Sequence, residues 1–337
     1  MARVRIKDIA EQAGVSAATV SRYLNNTPGA MTDETRARIA EVVARTGYRP
    51  LAAARSLRTD RSQLLGVALA DISNPYSSAM LEALSHEAAA QGYSLMTAVT
   101  GNDAEAEAAA VDRLVAAGAD ALVVNTCGEN DRALREANLS LPVVLLDRDV
   151  TGGGLDLVTS NNKDLVAGLV GELAGCGCKK LFLVSETNQT SSIRRERAAR
   201  FLEETGRLGV EGRVVELRGD KCGWLAEAGE KCGYIAINGL VFLRLVEALQ
   251  ANEPQPAGID GAPVRIATFD DFAWNRVIAG GVTTAAQDIE GIARTVVERA
   301  LSRIENPEAA PRRFEIAGQI IRRSSTARLG GLGAGAK

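Results

Sequence analysis

The chain has 337 residues, a formal net charge of −3 and a single histidine. That length is more than one ordinary hydrophobic core, so two or three domains are expected. One histidine leaves few routes to a general base, and neither a GxxxxGK[ST] loop nor a strand-linked GxGxxG occurs, which argues against an enzyme.

The charge is unevenly placed. Residues 1–61 hold eleven Lys/Arg against six Asp/Glu, a net of +5 that leaves −8 for the rest of the chain. A basic head on an acidic body predicts that the head alone meets a polyanion. The chain opens on a polar, capped helix rather than an apolar run, and no run approaches a membrane span. Both features predict a cytoplasmic protein with no membrane partner.

Ile6 to Leu24, IKDIAEQAGVSAATVSRYL, reads as two short helices joined by a tight turn. Ile9, Ala10 and Ala13 share one face of the first. Gly14 suits a left-handed turn, and Ser16 is a good N-cap for the second helix. Val15, Val20 and Leu24 then point back at the first helix. The opposite face carries Ala17, Ala18, Ser21 and Arg22, a shape that can enter the major groove of B-DNA. A three-helix core without a ligand is the alternative. Thr32 caps a third helix, with Asp33 and Glu34 in its first turn. Ile39, Val42 and Val43 supply its core face, and Gly47 ends it.

KDIAEQAGVSAATVSRYLNN, then TDETRARI at Thr32 to Ile39, then GYRPLAAARSLRT from Gly47, resembles the lactose-repressor family of bacterial transcription regulators. The resemblance covers nearly the whole chain. It implies an all-α helix-turn-helix head at 1–48 and a hinge helix or linker at 49–61. The head's DNA contacts would be Ser16, Ala17, Ala18, Thr19, Ser21, Arg22, Asn25, Tyr48 and Arg55. Leu57 would wedge between base steps in the minor groove. Leu51 departs from the asparagine usual after GYRP.

Beyond the linker, apolar runs alternate with helical stretches. The runs are Leu64–Ala70, Ser94–Val99, Ala121–Val124, Val143–Leu146, Leu181–Val184, Ile235–Ile237 and Val264–Phe269. Such alternation predicts parallel sheets covered by helices on both faces, with a break near Ser160. The resemblance implies an α/β periplasmic-binding-protein-like body of two doubly wound subdomains. These would be 62–160 plus about 287–311, and 161–286 plus about 312–327, with late crossings near Ala286 and Arg312. The stretch between Phe201 and Asn238 looks short for the family, as if a strand-helix unit were trimmed. Residues 328–337 read as a flexible Gly-rich tail without a leucine heptad, so a homodimer is expected rather than a tetramer.

In open α/β sheets, ligands sit beyond the carboxyl ends of the strands. Polar residues collect there at Asp71-Ile-Ser73-Asn74-Pro-Tyr76, Asp147-Arg148, Ser160-Asn161-Asn162, Asn238-Gly239, Asp270-Asp271 and Gln287. Arg195-x-Arg197 matches the family's RxRxxGF pattern, with Arg200 in place of its glycine and Phe201 following. The effector set so drawn is Asp71, Asn74, Tyr76, Arg148, Arg195, Arg197, Asn238, Asp270, Trp274 and Gln287. Arg194 and Arg200 are assigned to a solvated face. Gly239 stands where relatives often carry an aspartate.

Losing that anion while keeping cations favours an anionic ligand, because a carboxylate takes a bidentate arginine fork. Arg197 is expected to hold the carboxylate, with Asn238, Asp270 and Gln287 taking hydroxyls. TSNN at Thr159–Asn162 and FDDFAWNRVIAGGVTT at Phe269–Thr284 also resemble regulators of gluconate, ketogluconate and ketodeoxygluconate use. The expected function is therefore a sequence-specific DNA-binding regulator, a repressor of a carbohydrate-use operon released by a sugar acid. Its partner DNA would be a pseudo-palindromic operator. A neutral sugar or a purine is the alternative effector. A solute-binding module without a DNA role is the alternative class, which the basic head opposes. The five cysteines are expected as free thiols, and Cys176-Gly-Cys178 falls at a helix-to-strand turn, so no metal or cofactor is expected.

Overall fold

A computed structural model of the protein describes residues 4–24, 27–48, 61–186, 191–217, 231–251 and 265–327. The expected hinge helix with Arg55 and Leu57, Asn25 and the tail lie outside the described residues. The chain forms two compact units, residues 1–63 and 64–337.

In the first unit, α1 (Ile6–Ala13) ends at Gly14, whose φ of +64° a side chain would resist. The Val15 N–H turns back to the Ala10 carbonyl at 3.0 Å. The next helix, α2 (Ala17–Leu24), starts under Ser16, whose Oγ accepts the Thr19 N–H at 3.1 Å. Thr32 Oγ1 caps α3 (Asp33–Thr46) by accepting from the Thr35 N–H. Ile9, Ala10, Ala13, Val20, Ile39 and Val42 close the core between the three helices, and Val15 and Leu24 are half-buried against it.

The second unit begins with β1 (Leu64–Leu69), α4 (Pro75–Ala90), β2 (Ser94–Val99), α5 (Ala104–Ala116), β3 (Ala121–Val124), α6 (Asp131–Ala137), β4 (Val143–Leu146) and β5 (Asp156–Ser160). The chain then crosses to α7 (Asn162–Gly175), β6 (Lys180–Ser185), α8 (Ser192–Leu208), β7 (Glu211–Glu216), β8 (Cys232–Ala236), α9 (Gly239–Ala251), β9 (Arg265–Phe269) and β10 (Thr283–Ala286). It returns through α10 (Ile289–Glu305) and β11 (Arg313–Ile316), and crosses last into β12 (Gln319–Ile321).

The first sheet runs β11-β5-β4-β3-β1-β2 and the second β12-β10-β9-β8-β6-β7. Pairing is parallel throughout except between β10 and β12. The two orders match strand for strand, so the body is one doubly wound plan used twice. Residues along β1 alternate between two apolar layers: Leu65, Val67 and Leu69 face one, Ala68 the other. With both faces covered, β1, β3 and β4 read as unbroken apolar runs.

The last crossing falls at Ala317–Gly318, not near Arg312 as expected, and the reason is Asp156. This fully buried carboxylate accepts Arg299 Nε at 2.7 Å, Arg303 Nη1 at 2.6 Å and the Arg312 N–H at 2.8 Å. The Leu157 N–H then donates to the Arg312 carbonyl at 2.9 Å. Pinned there, the chain runs on beside β5 as a sixth strand of the first sheet before it crosses. The three crossings lie side by side: Gly318 N–H donates to Asn161 Oδ1 at 2.9 Å, and a Cβ at Gly318 would stand 2.5 Å from the Ala286 carbonyl. Of the strand-helix unit expected to be trimmed after Phe201, a strand is present as β7, and residues 218–230 that follow it are outside the described ones. No described helix is long and apolar enough to cross a membrane.

Candidate functional site

Two surfaces concern function, one in each unit. In the head, α2 turns Val20 into the core and leaves Ser16, Ala18 and Arg22 exposed, with Ala17, Thr19 and Ser21 half-exposed. The exposed face is thus small side chains around one cation, a shape compatible with close approach to the base edges of a major groove. Tyr48, expected at the DNA, is half-buried and packs against the head core just past the end of α3.

In the body, a cleft of about 380 Å³, part of it open to solvent, lies at the carboxyl ends of the strands. Asn74 N-caps α4 by accepting the Tyr76 N–H at 3.1 Å, and both residues line the cleft. Asp147 follows β4 and Asp270 follows β9, equivalent places in the repeated plan. Both hold left-handed backbone, φ +65° and +68°. Aspartate tolerates this conformation better than most side chains, and strain of this kind collects at binding sites. Asn238 ends β8, its Oδ1 accepting the Val241 N–H of α9 and its Nδ2 donating to Glu186 Oε1. Gln287, just past the second crossing, donates from Nε2 to Asp270 Oδ1 at 2.7 Å and accepts from Ser160 Oγ at 2.6 Å.

Three guanidinium groups line the same space. Arg148 Nη1 is held by Asn102 Oδ1 at 2.7 Å and the Thr126 carbonyl at 3.1 Å. Arg197 gives Nε to Asn162 Oδ1 and Nη1 to the Ile237 carbonyl, each at 2.7 Å, and lies 3.7 Å from the Phe269 ring centroid. Arg194 pairs through Nη2 with Glu186. Burial lowers the Arg194 pKa, Glu186 opposes this, and Arg148 and Arg197 push it further down. Burial likewise raises the Asp270 carboxyl, against the pull of Arg197. The Tyr76 hydroxyl is pushed well up, by burial first and then by Asp147 and Asp270. Four shielded atoms here have no hydrogen-bond partner: Tyr76 Oη, Asp147 Oδ1, Ser191 Oγ and Arg194 Nη1. Buried polar atoms are normally paired, so a cluster of exceptions in one cleft marks where a polar ligand belongs.

Asn74, Tyr76, Arg148, Arg197, Asn238, Asp270 and Gln287, expected from the sequence, thus meet in one cleft. Three other expected contacts lie elsewhere. Asp71 is spent on its own turn, accepting the Ser73 N–H and hydroxyl at 2.8 and 2.7 Å. Arg195 is on the exposed side of α8. Trp274 packs on the core of the second sheet and against Phe272, ring centroids 4.7 Å apart. The Phe272 ring also explains Gly239, where a Cβ would stand 2.8 Å from it. Ser191, Ile193, Arg194 and Ile237 were missed and do line the cleft. Helical spacing could have found Arg194, since 194 and 197 are three apart on one face while 195 points away from 197.

Family models match three stretches of the chain. "Bacterial regulatory proteins, lacI family" covers residues 5–50, "Periplasmic binding proteins and sugar binding domain of LacI family" covers 62–222, and "Periplasmic binding protein-like domain" covers 170–326. The HTH-type transcriptional regulator PtxS of Pseudomonas plecoglossicida is 35% identical over 330 residues, 96% of each chain. The HTH-type transcriptional regulator KdgR of Bacillus subtilis is 34% identical over 335 residues, 95% of this chain and 97% of its own. Among solved structures, the lac repressor dimer bound to operator and the anti-inducer ONPF superposes with a TM-score of 0.84 at 22% identity, covering 96% of this chain and 99% of that one.

Proposed function

This chain belongs to the lacI family of bacterial regulatory proteins, and on that premise we propose that its cleft takes a sugar acid whose binding releases an operator. The protein is a DNA-binding transcriptional regulator, and not an enzyme. The proposal concerns what it senses and how it answers. It acts in the cytoplasm as a repressor of a carbohydrate-use operon. Two copies pair through their bodies, because one recognition helix reads too few base pairs for useful specificity. Ligand draws the two subdomains together at the three crossings and changes how the heads are presented. It does so only insofar as it binds the two arrangements with different affinity.

The observation that carries the anionic reading is the set of three guanidiniums, Arg148, Arg194 and Arg197, around one cleft. Asp147 and Asp270, with Asn238 and Gln287, suit the hydroxyls of the same ligand. Isothermal titration of the full chain against gluconate, 2-ketogluconate, 2-keto-3-deoxygluconate and their neutral parent sugars tests it. An acid is expected to bind most tightly. A neutral sugar or a purine that binds more tightly than every acid refutes it.

A further inference from the structure

The family pattern points to Arg197 as the group that meets the ligand's charge, yet its geometry restricts it. A carboxylate fork needs two neighbouring N–H groups aimed the same way. Arg197 has committed Nε to Asn162, one N–H of Nη1 to Ile237 and its flat face to Phe269, so the side-on fork that Nε would share with Nη2 is closed. These contacts tie α7, α8, β8 and β9 together, which is a positioning role.

Arg194, one turn earlier on the same face of α8, is placed differently. Nη2 is anchored on Glu186 and Nη1 is shielded without a partner. Glu186 is itself steadied by Asn238 Nδ2 at 3.0 Å, so the guanidinium is held in place before any ligand arrives. Beside it Ser191 is fully buried, does not cap its helix, and leaves Oγ unpaired. Both groups are donors, and both need an acceptor. The 17-residue α8 begins here, with Ser191 as its N-cap residue, so the positive end of its dipole lies beside Ser191. Arg148 and Arg197 stand near enough to repel Arg194, and an entering anion relieves that repulsion.

We propose that Arg194, with Ser191 beside it at the start of α8, holds the carboxylate of the sugar acid, while Arg197 orders the cleft without sensing ligand charge. This rests on the sugar-acid reading above and assigns its charge recognition to a residue outside the family pattern. The neutral remainder of the ligand then extends toward Asp270, Gln287 and Asp147.

Calorimetry on the full chain with gluconate and its uncharged analogue gluconamide separates the two readings. Arg194→Gln should weaken gluconate binding by about tenfold or more and leave gluconamide within about twofold, since gluconamide brings no charge to pair with Arg194. Arg194→Lys should recover part of the loss by restoring the charge. Arg197→Gln should weaken both ligands alike, because it loosens the cleft. Should Arg194→Gln melt early, Ser191→Ala, which removes one hydroxyl, serves in its place: gluconate binding should drop several-fold with the melting curve unchanged. An Arg194→Gln protein that binds gluconate as the parent does overturns the assignment. So does an equal loss for both ligands, which would mark a structural role. A parent protein that does not prefer gluconate, 2-ketogluconate or 2-keto-3-deoxygluconate to their neutral forms fails earlier, at the sugar-acid reading, and takes the assignment with it.

Discussion

Asp270 shows how a single side chain joins fold and function. Its backbone is left-handed, its carbonyl accepts Asn275 Nδ2 at 2.6 Å, and its carboxylate sits buried against Gln287. Burial raises its pKa above the usual 3.8. Below that value the group is protonated in both folded and unfolded chains and costs nothing. As pH rises past it, the unfolded chain gives up its proton first, so stability falls until the folded-state pKa is passed. Asparagine keeps the acceptor for Gln287 and never charges. The melting temperature of Asp270→Asn relative to the parent should therefore rise as pH is raised from about 4, and level off once the folded-state pKa is passed. A constant or shrinking difference would show that the site stabilises the carboxylate instead. At this scale the sequence located most of the cleft, because polar residues after apolar runs stand at strand ends. It set aside Arg194, which lines the cleft, and named Arg195, which does not, because a motif was followed and the helical face was not. Trp274 and Asp71 fall outside the lining, and nothing in a sequence separates a ligand contact from a residue that packs or builds its own turn.

The elements that matter most are the three crossings, since any movement of one sheet's subdomain against the other's must pass through them. Gly318 faces the Ala286 carbonyl, and its would-be Cβ would also stand 3.1 Å from Leu165 Cδ1. The carbonyl belongs to the neighbouring crossing and cannot retreat alone. Gly318→Ala should therefore cost about 1–3 kcal/mol, as overpacking does, read as a lower urea midpoint at unchanged slope. A midpoint equal to the parent's would mean that the crossings slide freely past each other. The long helices and the apolar strands β1, β2, β3 and β4 could be read from composition alone. β11 and β12 could not, because RFEI and QII are too short and too polar to carry a strand pattern. What places β11 is Asp156 gathering Arg299, Arg303 and the Arg312 N–H, a contact across about 150 residues of sequence that no local window contains.

Across the whole molecule, one strand order is used twice, and each half ends a central strand in a strained aspartate at the cleft. The head carries the positive charge and the body the negative, so DNA and ligand are met by separate units. That division was visible in the residue counts before any fold was known. On the proposed function, ligand in the body changes the hold of the head on DNA. Binding should be steeply salt-dependent, log K falling by about 0.9 per phosphate contact for each tenfold rise in salt. The most direct test is fluorescence anisotropy of the full chain on an operator selected from random duplexes, with and without a sugar acid that calorimetry shows to bind. The selected site should be an inverted repeat, and saturating acid should weaken the complex by about 5- to 150-fold, the usual range of coupling between two sites. An operator affinity that stays the same with the acid bound would contradict the account.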